Sequence, residues 1–380
     1  MKENSNQSNR PMNNKIVGLV LLLAVALVSC GKQSGRTLTS ATGSIYECLV
    51  VVPQYTLSQQ QKQLVDAEHL QKADGSSYVE DVVTLYDAVK VIMGADMPCL
   101  PQMEPYFKLT QITPAQFDNF LKPTRNILYV DIAPSRYTQV TPKAQREVWS
   151  TPQAVYRIQA PDEESFLEYW LANGKQIREW FVRQEITRQL RFYRASTEKD
   201  IRKHLNNAFL TDMLVPNDYM LLMDTVLVPS VPNELLLNPN TQVVWACNNK
   251  GSLRRDLIVY SYPYADAETF TLSYLNAQRD DILSRIVTSG NGATMATEYK
   301  VFPPEMRTLT IDSTYTAEIR GLWKMVGGEA MGGPYVSHTW LDPVNARVVT
   351  AEVFVFAPGQ KKRNPLRQAE AILYSRTHTK

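Results

Sequence analysis

Apolar positions along the chain change their period several times, and each change marks an element. "IYECLVVVP" (45–53) is a β-branched run stopped by Pro53 and predicts a first strand. Helical stretches follow over 57–72 and 78–93, and in the second Val82, Val83, Leu85, Tyr86, Val89 and Val91 are dense enough to face a core. Pro98, Pro101 and Pro105 in "MPCLPQMEPYFKL" forbid regular helix and predict a stiff extended connection. "TPAQFDNFL" predicts a short helix with Thr113 as N-cap and Pro114 at its first position. "RNILYVDI" (125–132) and "EVWSTPQAVYRIQA" (147–160) read as strands, the second interrupted at Pro152.

The strongest helical pattern runs over 162–194. Asp162 caps it, Glu163 and Glu164 fill its first turn, and Phe166, Trp170, Ile177 and Phe181 recur at helical spacing. Gly174 marks a kink or a close neighbour. A second helix is expected near 197–210 with Thr197 as cap. Strands are then predicted at 218–228, 241–247 and 255–264, the last two joined by the hairpin signal "NNKGS", followed by a helix over 266–287. Both long helices open Asp-x-Glu-[Ser/Thr]-Phe, with Trp170-Leu171 matching Tyr274-Leu275, which reads either as a remnant of internal duplication or as convergent capping chemistry. Segments 307–327, 333–342 and 346–358 predict antiparallel strands, "LDPVNAR" a tight turn between the last two, and 364–375 a closing helix. The expected fold class is α+β, with mixed or mainly antiparallel sheets covered by helices and possibly two related halves, 45–215 and 216–380.

The N-terminus changes the setting. Lys2, Arg10 and Lys15 precede an apolar run from Ile16 to Val28, shorter than the roughly 20 residues of a spanning helix and suited to a cleaved signal over 1–29. Leu27-Val28-Ser29-Cys30 has the form of a lipobox, making Cys30 the lipidated N-terminus and 30–44 a flexible tether. Removing 1–29 takes three basic residues and Glu3 away, leaving 37 of each sign. That balance gives no support to nucleic-acid binding. Cys48, Cys99 and Cys247 form no CxxC pair and read first as buried small hydrophobes, with any disulfide pairing among them left open.

Trp323, "MGGPY" (331–335), "VFAPGQKKR" (355–363) and "RQAEAILYS" (367–375), with the lipobox, "LPQMEPYF" (100–107) and "RNILYVDI", resemble the DUF4837 family of Bacteroidetes lipoproteins over nearly the whole mature chain. Met103 and Tyr335 depart from the family pattern, where proline and phenylalanine are expected. The resemblance implies an envelope protein without an established activity, so it transfers no catalytic residues. The expected location is the cell envelope, with the outer membrane favoured and inner versus outer membrane left open. Gly31-Lys32-Gln33 lacks the acidic run that resembles a surface-export signal in such lipoproteins, which favours the periplasmic face.

Candidate chemistry centres on "GGEAMGGPYVSHTW" (327–340). Its glycines lack the GxGxxG and GK[ST] spacings and lie between strands, so they predict a tight backbone approach instead of a phosphate cradle. Gly328, Gly332, Gly333, Pro334, Trp323 and His338 form the candidate ligand or structural loop. Ser337 and His338 are adjacent on a strand and point to opposite faces, so with Asp342 they make a poor triad. Histidines 69, 204, 338 and 378 have no metal-ligand spacing, and no metal or cofactor is expected. Arg178, Arg183, Arg188, Arg191 and Arg194 on the long helix and "KKR" (361–363) read as a solvated face paired with Glu179 and Glu185, or as contacts to anionic lipid. The expected role is non-catalytic binding or scaffolding with a membrane anchor and an envelope protein or glycan partner; the alternative is a hydrolase of envelope glycan or peptide.

Overall fold

A computed structural model describes residues 38–67, 81–227, 241–328 and 330–379. The signal segment, Cys30, the tether up to residue 37 and His69 therefore lie outside the described residues. Ser40–Lys380 forms one compact unit. Residues 41–44, drawn from the sequence as tether, are held to it: Ala41 N–H donates to Thr151 O and Thr42 N–H to Pro123 O.

The first sheet has five strands: β1 (Glu47–Val51), β2 (Lys108–Ile112), β3 (Asn126–Ile132), β4 (Thr141–Arg146) and β5 (Ala154–Ala160). Their order is β2-β1-β3-β5-β4, parallel except for the β4–β5 pair. Parallel pairing needs both faces covered, and β1 is buried along nearly its whole length, as its unbroken apolar run suggests. The second sheet is antiparallel throughout, in the order β9-β11-β12-β13-β8-β7-β6. Its members are β6 (Met220–Leu227), β7 (Thr241–Lys250), β8 (Leu253–Pro263), β9 (Thr294–Glu298), β10 (Glu305–Ile311), β11 (Thr314–Val326), β12 (Gly332–Asp342) and β13 (Arg347–Phe356). The short β9 and β10 lie end to end along one edge of the long β11.

Helices fill the space on either side of this second sheet. α2 (Leu85–Met93), α3 (Glu163–Ala195) and α6 (Arg363–Tyr374) belong to a core shared with both sheets, where Trp170, Phe181 and Ile372 meet Val50, Leu128, Val259 and Val353. The short α1 (Gln59–Ala67) precedes α2, and α4 (Lys199–Phe209) follows α3. α5 (Leu272–Ile286) covers the opposite face of the antiparallel sheet and builds a second core with Ile258, Tyr260, Trp323 and Phe354. No helix among the described residues is long and apolar enough to cross a membrane.

Several local expectations change. α3 runs unbroken for 33 residues, and Gly174 serves close packing: a Cβ there would come 2.8 Å from Ile92. The expected helix at 113 is a single 3-10 turn over Pro114–Gln116. Thr197 does not cap α4; its hydroxyl donates back to Tyr193 O, and Glu198 takes the cap by accepting from Asp200 N–H. Segment 307–327 is a hairpin, β10–β11, turned by Asp312 and Ser313, both at positive φ. The shared Asp-x-Glu-[Ser/Thr]-Phe opening leads to different structures. Asp162 starts α3 directly, whereas Asp266 starts a 3-10 turn and Thr271 caps α5. With one sheet mainly parallel and the other antiparallel, capping chemistry accounts for that match without duplication.

Candidate ligand-binding site

The face of the antiparallel sheet covered by α5 carries a cavity of about 170 Å³ at one end. Strand alternation delivers its walls. Trp323 comes from β11, Phe354 and Phe356 from β13, Arg254 from β8 and Trp245 from β7; Met295 on β9, Met325 and Met331 close one side and Val287–Ser289 beyond α5 another. Register places Arg254 opposite Phe356 and Asp256 opposite Phe354. Five strands, with residues 287–289 and Met331 beside them, thereby share one patch.

The glycine-rich stretch makes this patch possible. Trp323 lies opposite Gly333, and its indole meets Phe354 edge-on at 5.6 Å between ring centroids and Phe356 at 6.1 Å. The indole N–H donates to Val355 O at 3.3 Å. A Cβ on Gly333 would sit 2.0 Å from that carbonyl oxygen and 3.1 Å from the indole nitrogen, so only glycine leaves the path open. Two residues away the arrangement is reversed: Tyr335 faces Gly321, and a Cβ there would lie 2.6 Å from the phenol ring. Such aromatic-over-glycine pairs pin the register of β11 against β12. Tyr335 in turn carries the Arg279 guanidinium at 3.9 Å, and Arg279 from α5 binds both Glu352 oxygens at 2.7 and 2.8 Å. Burial pushes the Glu352 carboxyl up against the opposing pull of Arg279.

Arg254 is the one charged residue in the lining. Its Nε and Nη2 grip Asp256, whose Oδ1 also accepts the Trp245 indole N–H at 2.8 Å, and its guanidinium lies 5.5 Å from the Trp245 ring. Asp256 has no exposed side-chain surface, whereas the Arg254 side chain is about a third exposed. Burial raises the Asp256 carboxyl; Arg254 opposes the shift.

Of the sequence candidates, Trp323 and Gly333 belong to the cavity wall and its support. Gly332 is packed on the Trp323 carbonyl, and Gly328 lies against Ala293. Pro334 precedes Tyr335, where the ladder to β13 begins. His338 is elsewhere: it points to the other face of β12, beneath α6. Its Nε2 lies 3.0 Å from Glu318 Oε2 and its ring meets Tyr374 edge-on at 5.0 Å. Glu318 also accepts from Arg307, Arg320 and Tyr374, while Arg320 and Arg367 bind Glu370. Burial disfavours the Glu318 charge, but Arg320, His338 and Arg307 outweigh it and hold the carboxyl well below its usual range. Ser337 does not share this face, and Asp342 binds Asn345 and Arg347 in the turn, so Ser337, His338 and Asp342 form no triad.

Other candidates resolve similarly. Cys48, Cys99 and Cys247 are free and buried, and burial pushes the first two thiols up to about 12 and 11. Arg188 is buried with Glu185, and Arg178 stacks on Tyr106 at 3.9 Å, so part of the basic face of α3 is interior. Lys362 and Arg363 give their backbone N–H groups to Glu104, which ties "KKR" to the proline-rich segment. No group of three metal-type ligands occurs among the described residues. One pairing escaped sequence reasoning altogether. His204 Nδ1 lies 2.5 Å from Asp224 Oδ2 at a wide cleft of about 640 Å³, joining α4 to β6. Arg254 and Trp245 also gave no sequence signal, since strand register alone assembles them with Trp323.

Residues 198–375 match the family model described as Domain of unknown function (DUF4837), and residues 76–194 match a separate one, Domain of unknown function (DUF8532). The likeness to the first family is thus supported over the C-terminal part, while "LPQMEPYF" and "RNILYVDI" fall in the second match. No curated protein matches the chain. Among solved structures, the Ran-binding protein Mog1p of Saccharomyces cerevisiae aligns at 12% identity over 44% of this chain and 90% of its own, with a TM-score of 0.25. A likeness that distant carries no functional argument.

Proposed function

We propose that the protein is a lipid-anchored envelope protein that binds a small apolar group in the cavity beside Trp323 without transforming it. The supporting observation is the lining: two indoles, two phenyl rings and three thioethers, with no histidine, cysteine or carboxylate among them. Apolar concave sites with few polar groups are the usual form of ligand pockets. A dry cavity of about 150 Å³ accommodates benzene, so a single aromatic ring system or an equivalent aliphatic group fits. The anchor is Cys30 behind the signal over 1–29, at the periplasmic face of the outer membrane, with an envelope protein or glycan as further partner. Indole is the probe. With nine heavy atoms it should gain about 4–5.5 kcal/mol, a Kd on the order of 0.1–1 mM. Calorimetric titration should give one saturable site, and Thr288→Trp, at an exposed position of the lining, should block it; unsaturable heat or unaltered binding in that variant contradicts the proposal. In producing cells Cys30→Ala should abolish palmitate labelling, and retained label contradicts the anchor.

The alternative, a hydrolase of envelope glycan or peptide, has one observation in its favour. Asp224 orients His204 at the cleft and is itself held by the Gln242 amide at 2.9 Å, the arrangement of a general base and its orienting acid. Both side chains are about a third exposed, as in an ordinary surface ion pair worth about 0–1 kcal/mol. Release of product from envelope glycan or peptide, lost in His204→Ala, would support this reading, and its absence would remove it.

A further inference from the structure

The cavity is mainly apolar, its lining carries one charged residue, and that residue has a buried partner. Asp256 sits behind the wall with no exposed side-chain surface, and its oxygens are engaged by the Trp245 indole and by Nε and Nη2 of Arg254. Arg254 stands in front, with Nη1 outside these bonds. The pair is neutral as a whole, but a group arriving from the cavity meets the guanidinium and not the carboxylate. Pairing with Asp256, with the Trp245 ring 5.5 Å away, holds the guanidinium before any ligand arrives, so less rotamer entropy is lost on binding. Thr288 and Ser289 lie on the same lining, and the Ser289 hydroxyl is already donated to Asn291 Oδ1. Electrostatically, the wall holds a fixed positive end beside a ring-sized apolar space.

Resting on the reading of this cavity as a binding site, we infer that its ligand is a small aromatic or similarly compact apolar molecule bearing one carboxylate on a short arm. The ring fills the space between Trp323 and Trp245, and the carboxylate accepts from Arg254. A bare hydrocarbon would gain nothing from Arg254, and an amine would be repelled by it. Three probes of equal ring size separate these cases: indole, indole-3-acetate and tryptamine. Titrated into the full-length wild-type chain, indole-3-acetate should bind about tenfold more tightly than tryptamine, the scale of one charge-assisted hydrogen bond at a partly exposed site. Indole should lie between them. Raising salt from about 0.05 to about 0.5 M should shrink the acetate preference and leave indole unchanged. Arg254→Met should erase the preference; because that change leaves Asp256 without its main partner, the wild-type series decides the matter if the variant does not fold. Equal affinities for the three probes, or tighter binding of tryptamine, overturn the anionic ligand while leaving the apolar site intact. Binding of none of the three overturns the cavity reading itself.

Discussion

Replacing Gly333 by alanine adds one methyl group at the most constrained point of the site. The new Cβ would lie 2.0 Å from Val355 O, where ordinary contact begins at 3.4 Å, so β12 and β13 must separate by more than 1 Å. Overpacking of this kind costs about 1–3 kcal/mol. Separation also breaks the Trp323 N–H bond to the same carbonyl, adding about 0.5–1.5 kcal/mol. The expected loss is therefore about 1.5–4.5 kcal/mol. Gly290→Ala is the control: no atom lies within 4 Å of its Cβ position and its φ is ordinary, so it should be neutral or stabilise by up to about 1 kcal/mol. Urea unfolding followed by tryptophan fluorescence measures both, with unchanged m-values as the condition for comparing midpoints. If Gly333→Ala unfolds within about 0.5 kcal/mol of Gly290→Ala, the aromatic-over-glycine account of the glycine-rich stretch is wrong.

Glu318→Gln should cost about 3–5 kcal/mol, because it leaves Arg320 and Arg307 without their shared carboxylate. The folded pKa of Glu318 lies below its ordinary value of 4.5, so its contribution is complete above that pH and lost as pH falls beneath it. The stability gap between wild type and Glu318→Gln should therefore narrow on acidification below about pH 4.5, and a gap constant from neutral pH to pH 3.5 contradicts the assignment. His338→Ala should destabilise by about 1–3 kcal/mol, by stranding part of the same network, yet leave the indole Kd unchanged; a weakened Kd at wild-type stability would return His338 to the functional site. Gly321→Ala should shift the Tyr335 ring and destabilise by about 1–3 kcal/mol, checked by the same unfolding curves.

Much of the fold was legible where local chemistry decides the structure. Asp162, the acidic first turn and the aromatic spacing specified α3 to within a residue, and "LDPVNAR" specified its turn. Where tertiary context decides, reading failed. "TPKAQR" carries little β signal, yet it forms the antiparallel edge strand β4 by pairing with β5. The Asp312-Ser313 turn lacks the glycine that usually announces such a hairpin. In "AEIRGLWK" polar Glu318 and Arg320 alternate with Ile319 and Trp323, the pattern of a strand with one wet face; α6 covers that face and buries the charges as ion pairs. The site was half visible. Trp323 and Gly333 stand near each other in sequence, whereas Arg254 and Trp245 join them through the β7–β8–β13 register, which no local pattern encodes.

The cavity holds three methionines, and their methyl groups report on it directly. With methionine methyls labelled by carbon-13, addition of indole should shift the resonances of Met295, Met325 and Met331, which line the site. Met103, 86% exposed, and Met220, at the His204 cleft, should stay in place. Shifts confined to Met220 or Met103, or no shift at saturating indole, would contradict a ligand site beside Trp323.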